Sequence, residues 1–563
     1  MTRYHWLVFT LCTLGWSLNC LEQQLFVLQR TAASAELLDV SSHDAVVWGI
    51  LATSVMLLGW ATGGLFFGVL GDKYGRSRVM VWTILTCSLI TGFSGLSVSF
   101  GDFLLCRFLA GLGIGGQFAV GVTLLAETMP DRVRPYALGF LQWFTVFGSM
   151  AGALISMGID AAYFAGGLPY PPWRLVWGIG AFPAVLAWFV MRYLDEPEKW
   201  KLAVRDKDKG RKNAGSYREL FGPVSRRRTI FATILTSTGV IGLWGTMFFS
   251  ADLYQSIGRR LTEERLKAEG TLNIDITMIG MLVTYPPLID DTNNLDLKTL
   301  LGTEKNNGDV QYLFEAIRNL RERKRPITEN TVADEAIHRW NLAEGKGRQT
   351  SAIPLEEVER RKAFFLGRIG QPTNILENSE RACLSGAELW KLRRQELAEI
   401  LQQIDNRTKL IDKETVRWGI TTTFLLNIGA LFGIFSFTMV TARLGRRLTF
   451  TIYMAASMLS VIGVFMLANS QWEIYLLVPI MGFFLPALFG GYTIYLPELF
   501  PTRIRSTAIA LCFSVGYFIV ACIYMLGTGL SARWIGAAMS CVFLIGIAAV
   551  WMLPETKGKP LPE

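Results

Sequence analysis

The sequence predicts an all-α polytopic membrane protein made of two six-helix bundles, and three observations carry that prediction. The 563 residues are 51% hydrophobic with 54 glycines, and the mean hydropathy is +0.33, too apolar for an ordinary soluble chain. Apolar runs of about 20 residues, long enough to cross a hydrocarbon core about 30 Å thick, recur along most of the length. A motif crowded with glycine and charge, GVLGDKYGRSR at 68–78, returns in degenerate form as ARLGRR at 442–447.

Taken in order, the expected spans are 6–28, 45–70, 79–98, 103–126, 136–159, 175–193, 229–250, 418–440, 448–467, 474–495, 504–526 and 534–553, twelve in all. The first contains Asn19, Glu22, Gln23 and Gln24 and no small-residue cleavage site, so it reads as a retained helix and not as a signal peptide. Residues 251–415 hold 25 Lys+Arg against 27 Asp+Glu, and the rest of the chain holds 30 against 19. Those remaining cations (Lys73, Arg76, Arg78, Arg132, Arg134, Arg443, Arg446, Arg447, Arg503, Arg505, Lys557) fall on one side of alternating spans, which places both termini in the cytoplasm. The excess charge is therefore a topology signal with membrane lipid as its partner, not a nucleic-acid surface.

The expected domains are an N-terminal bundle (1–194), a basic cytoplasmic linker (195–228), a C-terminal bundle (229–250 with 416–563) and an extracytoplasmic insertion (251–415) after the seventh span. The insertion reads as folded and mostly helical. Val310, Leu313, Phe314, Ile317 and Leu320 recur at helical spacing, as do Leu389, Leu392, Leu397, Ile400, Leu401 and Ile404 after a capping-box-like start at Ser385. Leu272, Ile274, Ile276 and Met278 alternate as a strand would.

Matched motifs extend the repeat. Arg107 opens RFLAGLGIGGQF, and Glu127, Pro130, Arg132 and Arg134 follow; TIYLPELFPTRIR puts Pro497, Glu498, Pro501, Arg503 and Arg505 in the corresponding place. Two halves with matched motifs are the signature of a parallel-repeat transporter that opens alternately to each side of a midplane site. In the first motif Gly68, Gly71 and Gly75 permit close backbone approach, and Asp72 is placed to meet a helix N-terminus or a cation across the seam between halves. Arg76 with Glu127, and Arg446 with Glu498, are the expected pairs of a cytoplasmic gate that includes Arg134 and Arg505. Gly111, Gly113, Gly115 and Gly116 suit close helix packing. Arg107 within an apolar span calls for a cavity or a carboxylate partner. Polar and aromatic groups at membrane depth, namely Asn19, Gln142, Trp143, Trp244, Asn427, Tyr492 and Tyr517, are candidates for a solute pocket. His5, His43 and His338 are isolated, and with no nucleophile elbow, phosphate loop or metal spacing the chain reads as a non-enzyme without a cofactor.

These motifs, with LPETKGK at 553–559, together resemble the major facilitator superfamily over residues 1–250 and 416–563, most closely its sugar-porter-like and organic-acid or niacin-type symporter branches. The resemblance implies a secondary transporter of a small polar or anionic organic solute, proton-coupled by symport. In resembling symporters the first span carries an aspartate near a fourth-span arginine. Here Asn19 stands at that place and Glu22 follows, so Glu22 and Arg107 are the implied proton-coupling pair. Gln142 matches a substrate-contacting glutamine of sugar porters, whereas TILTSTGVIGLWGTMFF lacks their paired glutamines, which argues against a sugar. Ala442 in place of aspartate implies a weaker second latch. The alternatives are a membrane sensor that uses the insertion to bind a ligand or an unknown partner, or a sugar uniporter.

Overall fold

The protein is described from a computed structural model, which covers residues 1–40, 42–164, 167–198, 200–202, 215–223, 225–268, 386–526 and 532–562. Among these residues there are helices and no strands. In chain order the N-terminal half comprises α1 (Arg3–Leu38), α2 (Ser42–Tyr74), α3 (Arg76–Ser94), α4 (Phe100–Thr128), α5 (Arg134–Phe164), α6 (Pro172–Ile179) and α7 (Ala184–Tyr193). After the short linker helix α8 (Tyr217–Leu220), the C-terminal half begins with α9 (Arg226–Val240), a π-helical turn (Ile241–Gly245) and α10 (Thr246–Ala268). It resumes with α11 (Gly386–Leu444), α12 (Arg446–Leu467), α13 (Gln471–Phe484), α14 (Ala487–Leu499), α15 (Arg505–Leu526), α16 (Ala532–Ser540) and α17 (Val542–Trp551).

Nine stretches of the described residues are long and apolar enough to cross a membrane, with Gly536–Trp551 shorter. Two long helical segments fall outside that measure for a physical reason. α1 buries Asn19, Glu22, Gln23, Gln24, Gln29 and Arg30 against its neighbours, and the segment from α9 through the π turn carries threonines that bond back to their own helix, as Thr236 Oγ1 does to the Ala232 carbonyl at 2.7 Å. Their polarity faces protein, where hydropathy alone misjudges it.

Expected spans coincide with helices, but three are broken. The sixth divides into α6 and α7 around Gly180–Pro183, the tenth into α13 and α14 ahead of Ala487, and the twelfth into α16 and α17. Pro183 and Pro486 sit at the breaks of the first two, where proline removes a backbone donor. The third span ends at Ser94, so Val98 lies outside the helix.

One compact unit comprises Met1–Arg259 with Glu414–Glu563, and a second comprises Arg260–Lys413. The helix expected over 389–404 is present as part of α11, which runs unbroken for 59 residues into the next span. The strand at 272–278, the helix at 310–320 and the capping residue Ser385 lie outside the described residues.

Close packing within the first half depends on small residues. A side chain at Gly115 would overlap the Trp60 carbonyl, and one at Gly111 the Met56 carbonyl, so α2 and α4 meet backbone to backbone. At the α2–α3 and α11–α12 corners Gly75 (φ 117°) and Gly445 (φ 89°) take up a conformation that side chains avoid.

Candidate functional site

The 68–78 motif closes one end of the molecule. Asp72, near the end of α2, accepts from the backbone N–H groups of Ser506 (3.3 Å) and Thr507 (2.9 Å) and from the Thr507 hydroxyl (2.6 Å). Those residues form the first turn of α15, so a carboxylate from one half caps a helix of the other, where unsatisfied N–H groups and the helix dipole favour an anion. Asp72 also pairs with Arg76 at 2.8 Å. Arg76 contacts Glu127 through Nε at 3.2 Å and donates to the Thr502 carbonyl across the seam at 2.8 Å. Glu127 in turn pairs with Arg505 at 2.9 Å. All four charged side chains have zero exposure. Gly68 completes the seam: a Cβ there would meet Ala510. The pairs expected from sequence are present and buried, so desolvation enters their energetics.

The second copy is built alike and works differently. Arg446 pairs with Glu498 at 2.8 Å, as Arg76 does with Glu127, and each arginine donates through Nη1 to the carbonyl five residues earlier, Thr441 and Gly71 respectively. Glu196 accepts from the N–H of Arg76 (2.6 Å), and Glu555 accepts from that of Arg446 (2.9 Å). Glu498, however, takes its other bond from the Thr556 hydroxyl in its own half. Arg134 donates to the Ala126 carbonyl (2.8 Å) and pairs with Asp131, staying within the N-terminal half. With Ala442 in place of aspartate, the described cross-seam ion pair and helix cap both belong to the Asp72–Glu127 side.

Linker and tail residues add to the closed end. Trp200 Nε1 donates to the Asp72 carbonyl (3.0 Å), the Tyr217 hydroxyl to the Leu65 carbonyl (2.6 Å), and Gly215 N–H to the Arg503 carbonyl (3.1 Å). Burial and the nearby Asp72 push the Tyr217 phenol up to about 12. Arg505 Nη2 donates to the Pro562 carbonyl at 2.9 Å.

Away from the latch, between the halves, lies a cavity enclosing about 970 Å³ of empty space, mouth included, a volume suited to a small organic molecule. From the N-terminal half it is lined by residues including Trp16, Gln23, Gln24 and Gln142, and from the C-terminal half by Trp244, Tyr254, Thr422, Thr423, Asn427 and Phe489. Eight residues of α5 separate Gln142 from Arg134, about 12 Å of helix rise. The π-helical turn presents Leu243 and Trp244 to this space, and the Tyr524 hydroxyl donates to the carbonyls of Trp244 (3.1 Å) and Gly245 (2.8 Å) that the widened turn leaves over.

Of the pocket candidates, Gln142, Trp244 and Asn427 line this cavity. Four lie elsewhere. Asn19 bonds Gln117 (3.2 Å); Trp143 donates to the Leu431 carbonyl (2.8 Å); Tyr492 donates to the Leu235 carbonyl (3.2 Å); Tyr517 stacks on Trp60 with centroids 4.3 Å apart. Trp16, Gln23, Gln24, Tyr254, Thr422 and Thr423 were not singled out as pocket residues. Gln23 and Gln24 carry the one available signal, adjacent amides in an otherwise apolar span.

Glu22 faces α3, not the cavity. It accepts from Cys87 Sγ (2.7 Å), Ser88 Oγ (2.8 Å) and Thr91 Oγ1 (3.4 Å). Arg107 is enclosed by the rings of Phe26, Phe103 and Trp177, its Cζ 5.5, 5.6 and 4.9 Å from their centroids. It donates to Ser94 Oγ, and its Nε has no partner. Glu22 and Arg107 are both buried, and they are not ion-paired in this structure.

A halved helical fold, sealed across its seam at one end with a cavity between the halves, is that of a membrane transporter family. The model of the Major Facilitator Superfamily matches residues 7–287 and 394–563, and the chain belongs to that superfamily as a multi-pass helical membrane protein. It is 30% identical over 262 residues to a Haemophilus influenzae chain assigned to metabolite transport, covering 46% of this chain and 59% of that one. It is 28% identical over 241 residues to a Cupriavidus pinatubonensis chain assigned to 4-methylmuconolactone transport, covering 42% and 51%. With the niacin transporter NiaP of Acinetobacter baylyi it shares 28% over 194 residues, covering 34% and 41%. The chain thus spans about half the length of the curated relatives it matches, and these relatives are transporters, not enzymes. In fold it is similar to the proton:xylose symporter XylE bound to 6-bromo-6-deoxy-D-glucose, with a TM-score of 0.54 at 14% identity over 99% of this chain and 98% of that one.

Proposed function

We infer that this chain carries a small polar or anionic organic solute across the membrane by alternating access, coupled to protons. The observation that supports this reading best is the buried Asp72–Arg76–Glu127–Arg505 latch, which seals one end of the seam while leaving a cavity between the halves. A molecule that only senses has no need of a latch joining two halves. In this reading there are twelve spans with the latch and both termini cytoplasmic, and the insertion after the seventh span is outside. The site residues are the cavity-lining Gln142, Trp244 and Asn427.

Glu22 is the proton-accepting group of this reading. A carboxylate held by a thiol and two hydroxyls and no cation is costly at membrane depth unless it takes up a proton. Arg107, caged by rings 5 to 6 Å away, is the cation whose approach in another state of the cycle would release that proton. One charge moved through 100 mV supplies about 2.3 kcal/mol, above the roughly 1.4 kcal/mol required for tenfold accumulation.

The test is uptake by proteoliposomes containing the full chain, offered labelled organic acids, amides and sugars, with and without an imposed pH gradient. Accumulation that depends on the gradient supports the reading; facilitated equilibration alone would make the protein a uniporter, and no flux of any solute class would remove the transport reading.

A further inference from the structure

We propose that the cavity is built for a neutral, flat solute carrying a carboxamide or a comparable donor–acceptor edge, and that it discriminates against the matching carboxylate. This deepens the transport reading above and rests on it. The cavity walls differ in hydrogen-bonding sense. On the N-terminal wall, Trp16 Nε1 donates to Gln142 Oε1 at 3.1 Å. An indole can only donate, so it takes one of the two lone pairs of the Gln142 oxygen and fixes the NH₂ as the end turned to the space it lines. Gln23 stands on the same wall, with 7% exposure and an Nε2 without a partner. A buried amide donor left unpaired is costly, and an acceptor on a bound solute would relieve that cost. This wall offers the N–H groups of Gln142 and Gln23.

The C-terminal wall offers oxygens. Asn427 Nδ2 gives one of its two protons to the Thr423 carbonyl at 2.8 Å, which orients its Oδ1 as an acceptor beside one remaining N–H. The hydroxyls of Thr422 and Thr423 donate to the backbone, at 2.9 Å to Trp418 O and 2.9 Å to Gly419 O, so their oxygens are acceptors, and that of Thr423 already takes Gln24 Nε2 from the opposite wall at 3.4 Å. A solute that accepts on one edge and donates on the other answers both walls. A carboxamide does both; a carboxylate only accepts and would set its charge against the oxygens opposite. The rings of Trp16, Trp244 and Phe489 line the same space and suit a flat apolar body. Among the described lining residues none is charged, and an anion buried without a cation is disfavoured.

The experiment uses the full chain in lipid nanodiscs at pH 7.5 with two isosteric pairs, nicotinamide with nicotinate and benzamide with benzoate, binding being read by calorimetry. We expect each amide to bind at least about 100-fold more tightly than its acid, the penalty for an unpaired buried charge. Gln23→Leu should weaken amide binding roughly tenfold through loss of one hydrogen bond. Acids that bind as tightly as their amides, or amides that do not bind, would overturn the proposal. Counterflow of the same compounds in proteoliposomes separates the two readings. Preferred binding and counterflow of an acid refutes the neutral-solute class and keeps transport, whereas amide binding with no counterflow of any member keeps the class and refutes transport.

Discussion

Replacing Glu127 by glutamine removes one of two negative charges from a cluster that also holds Arg76 and Arg505, all four side chains fully buried. The wild-type cluster is neutral; the variant leaves a net positive charge inside the closed latch. Breaking a buried pair by removing one partner costs about 3 to 5 kcal/mol, because the other charge stays desolvated. The latch-open state hydrates the same groups and escapes most of that cost. At 3 kcal/mol the closed-to-open ratio falls by a factor of roughly 160, which takes a population of about 99:1 close to parity. Cys20 lines the cavity and provides the readout. In proteoliposomes containing a variant with Cys20 as its sole cysteine, an impermeant maleimide added on the latch side should label Glu127→Gln tens of times faster than its parent. Glu498→Gln is the control, since Glu498 bonds Arg446 and Thr556 within its own half and crosses no seam. An unchanged rate in a folded Glu127→Gln variant, or equal acceleration by Glu498→Gln, would refute the argument.

Three other outcomes follow from named contacts. Glu22→Gln should abolish pH-driven accumulation while sparing solute exchange, and retained pH-dependent accumulation would remove Glu22 from coupling. Gly115→Val forces a side chain into the Trp60 carbonyl and should cost about 1 to 3 kcal/mol or more, seen as a lower melting temperature in detergent. Partial burial alone would raise the Glu555 carboxyl, but backbone N–H groups of Arg446, Arg447, Lys557 and Thr556 hold it below the usual carboxylate range. A depressed folded pKa contributes stability above the unfolded value, near pH 4.3, that is lost as pH falls through the folded one. The stability gap between the protein and Glu555→Gln should therefore be constant above about pH 5 and close at lower pH, as read by thermal unfolding across a pH series.

The latch was legible because its chemistry is local. Spacing from Gly75 to Arg76 and from Glu127 to Arg134 repeats at Gly445 to Arg446 and Glu498 to Arg505, so pairs within each half could be read from one line of sequence. That Glu127 reaches Arg505 as well as Arg76 could not, since it depends on how the two halves meet. The pocket was legible only in part for the same reason. Polarity at membrane depth marks Tyr492 and Tyr517 as strongly as Gln142, and only tertiary packing turns the tyrosines toward Leu235 and Trp60. Helix polarity hid the opposite fact: Gln23 and Gln24 are consecutive, about 100° apart on a helix, yet both line the cavity.

Two kinds of buried charge now have separable tasks. The latch cluster is neutral as a whole and fully paired, and such a group gains little over hydrated ions, since desolvation offsets attraction. That near-balance would suit the proposed gate, which has to open and close with similar free energies, and it makes the cluster intolerant of losing a single partner. Arg107 is the reverse case. Its cation is held by rings and one serine with an unpaired Nε, an arrangement less well compensated than the latch and one that the proposed approach of Glu22 would improve. On the proposed reading the latch sets which end is sealed, and the Glu22–Arg107 region is where the proton's free energy would enter.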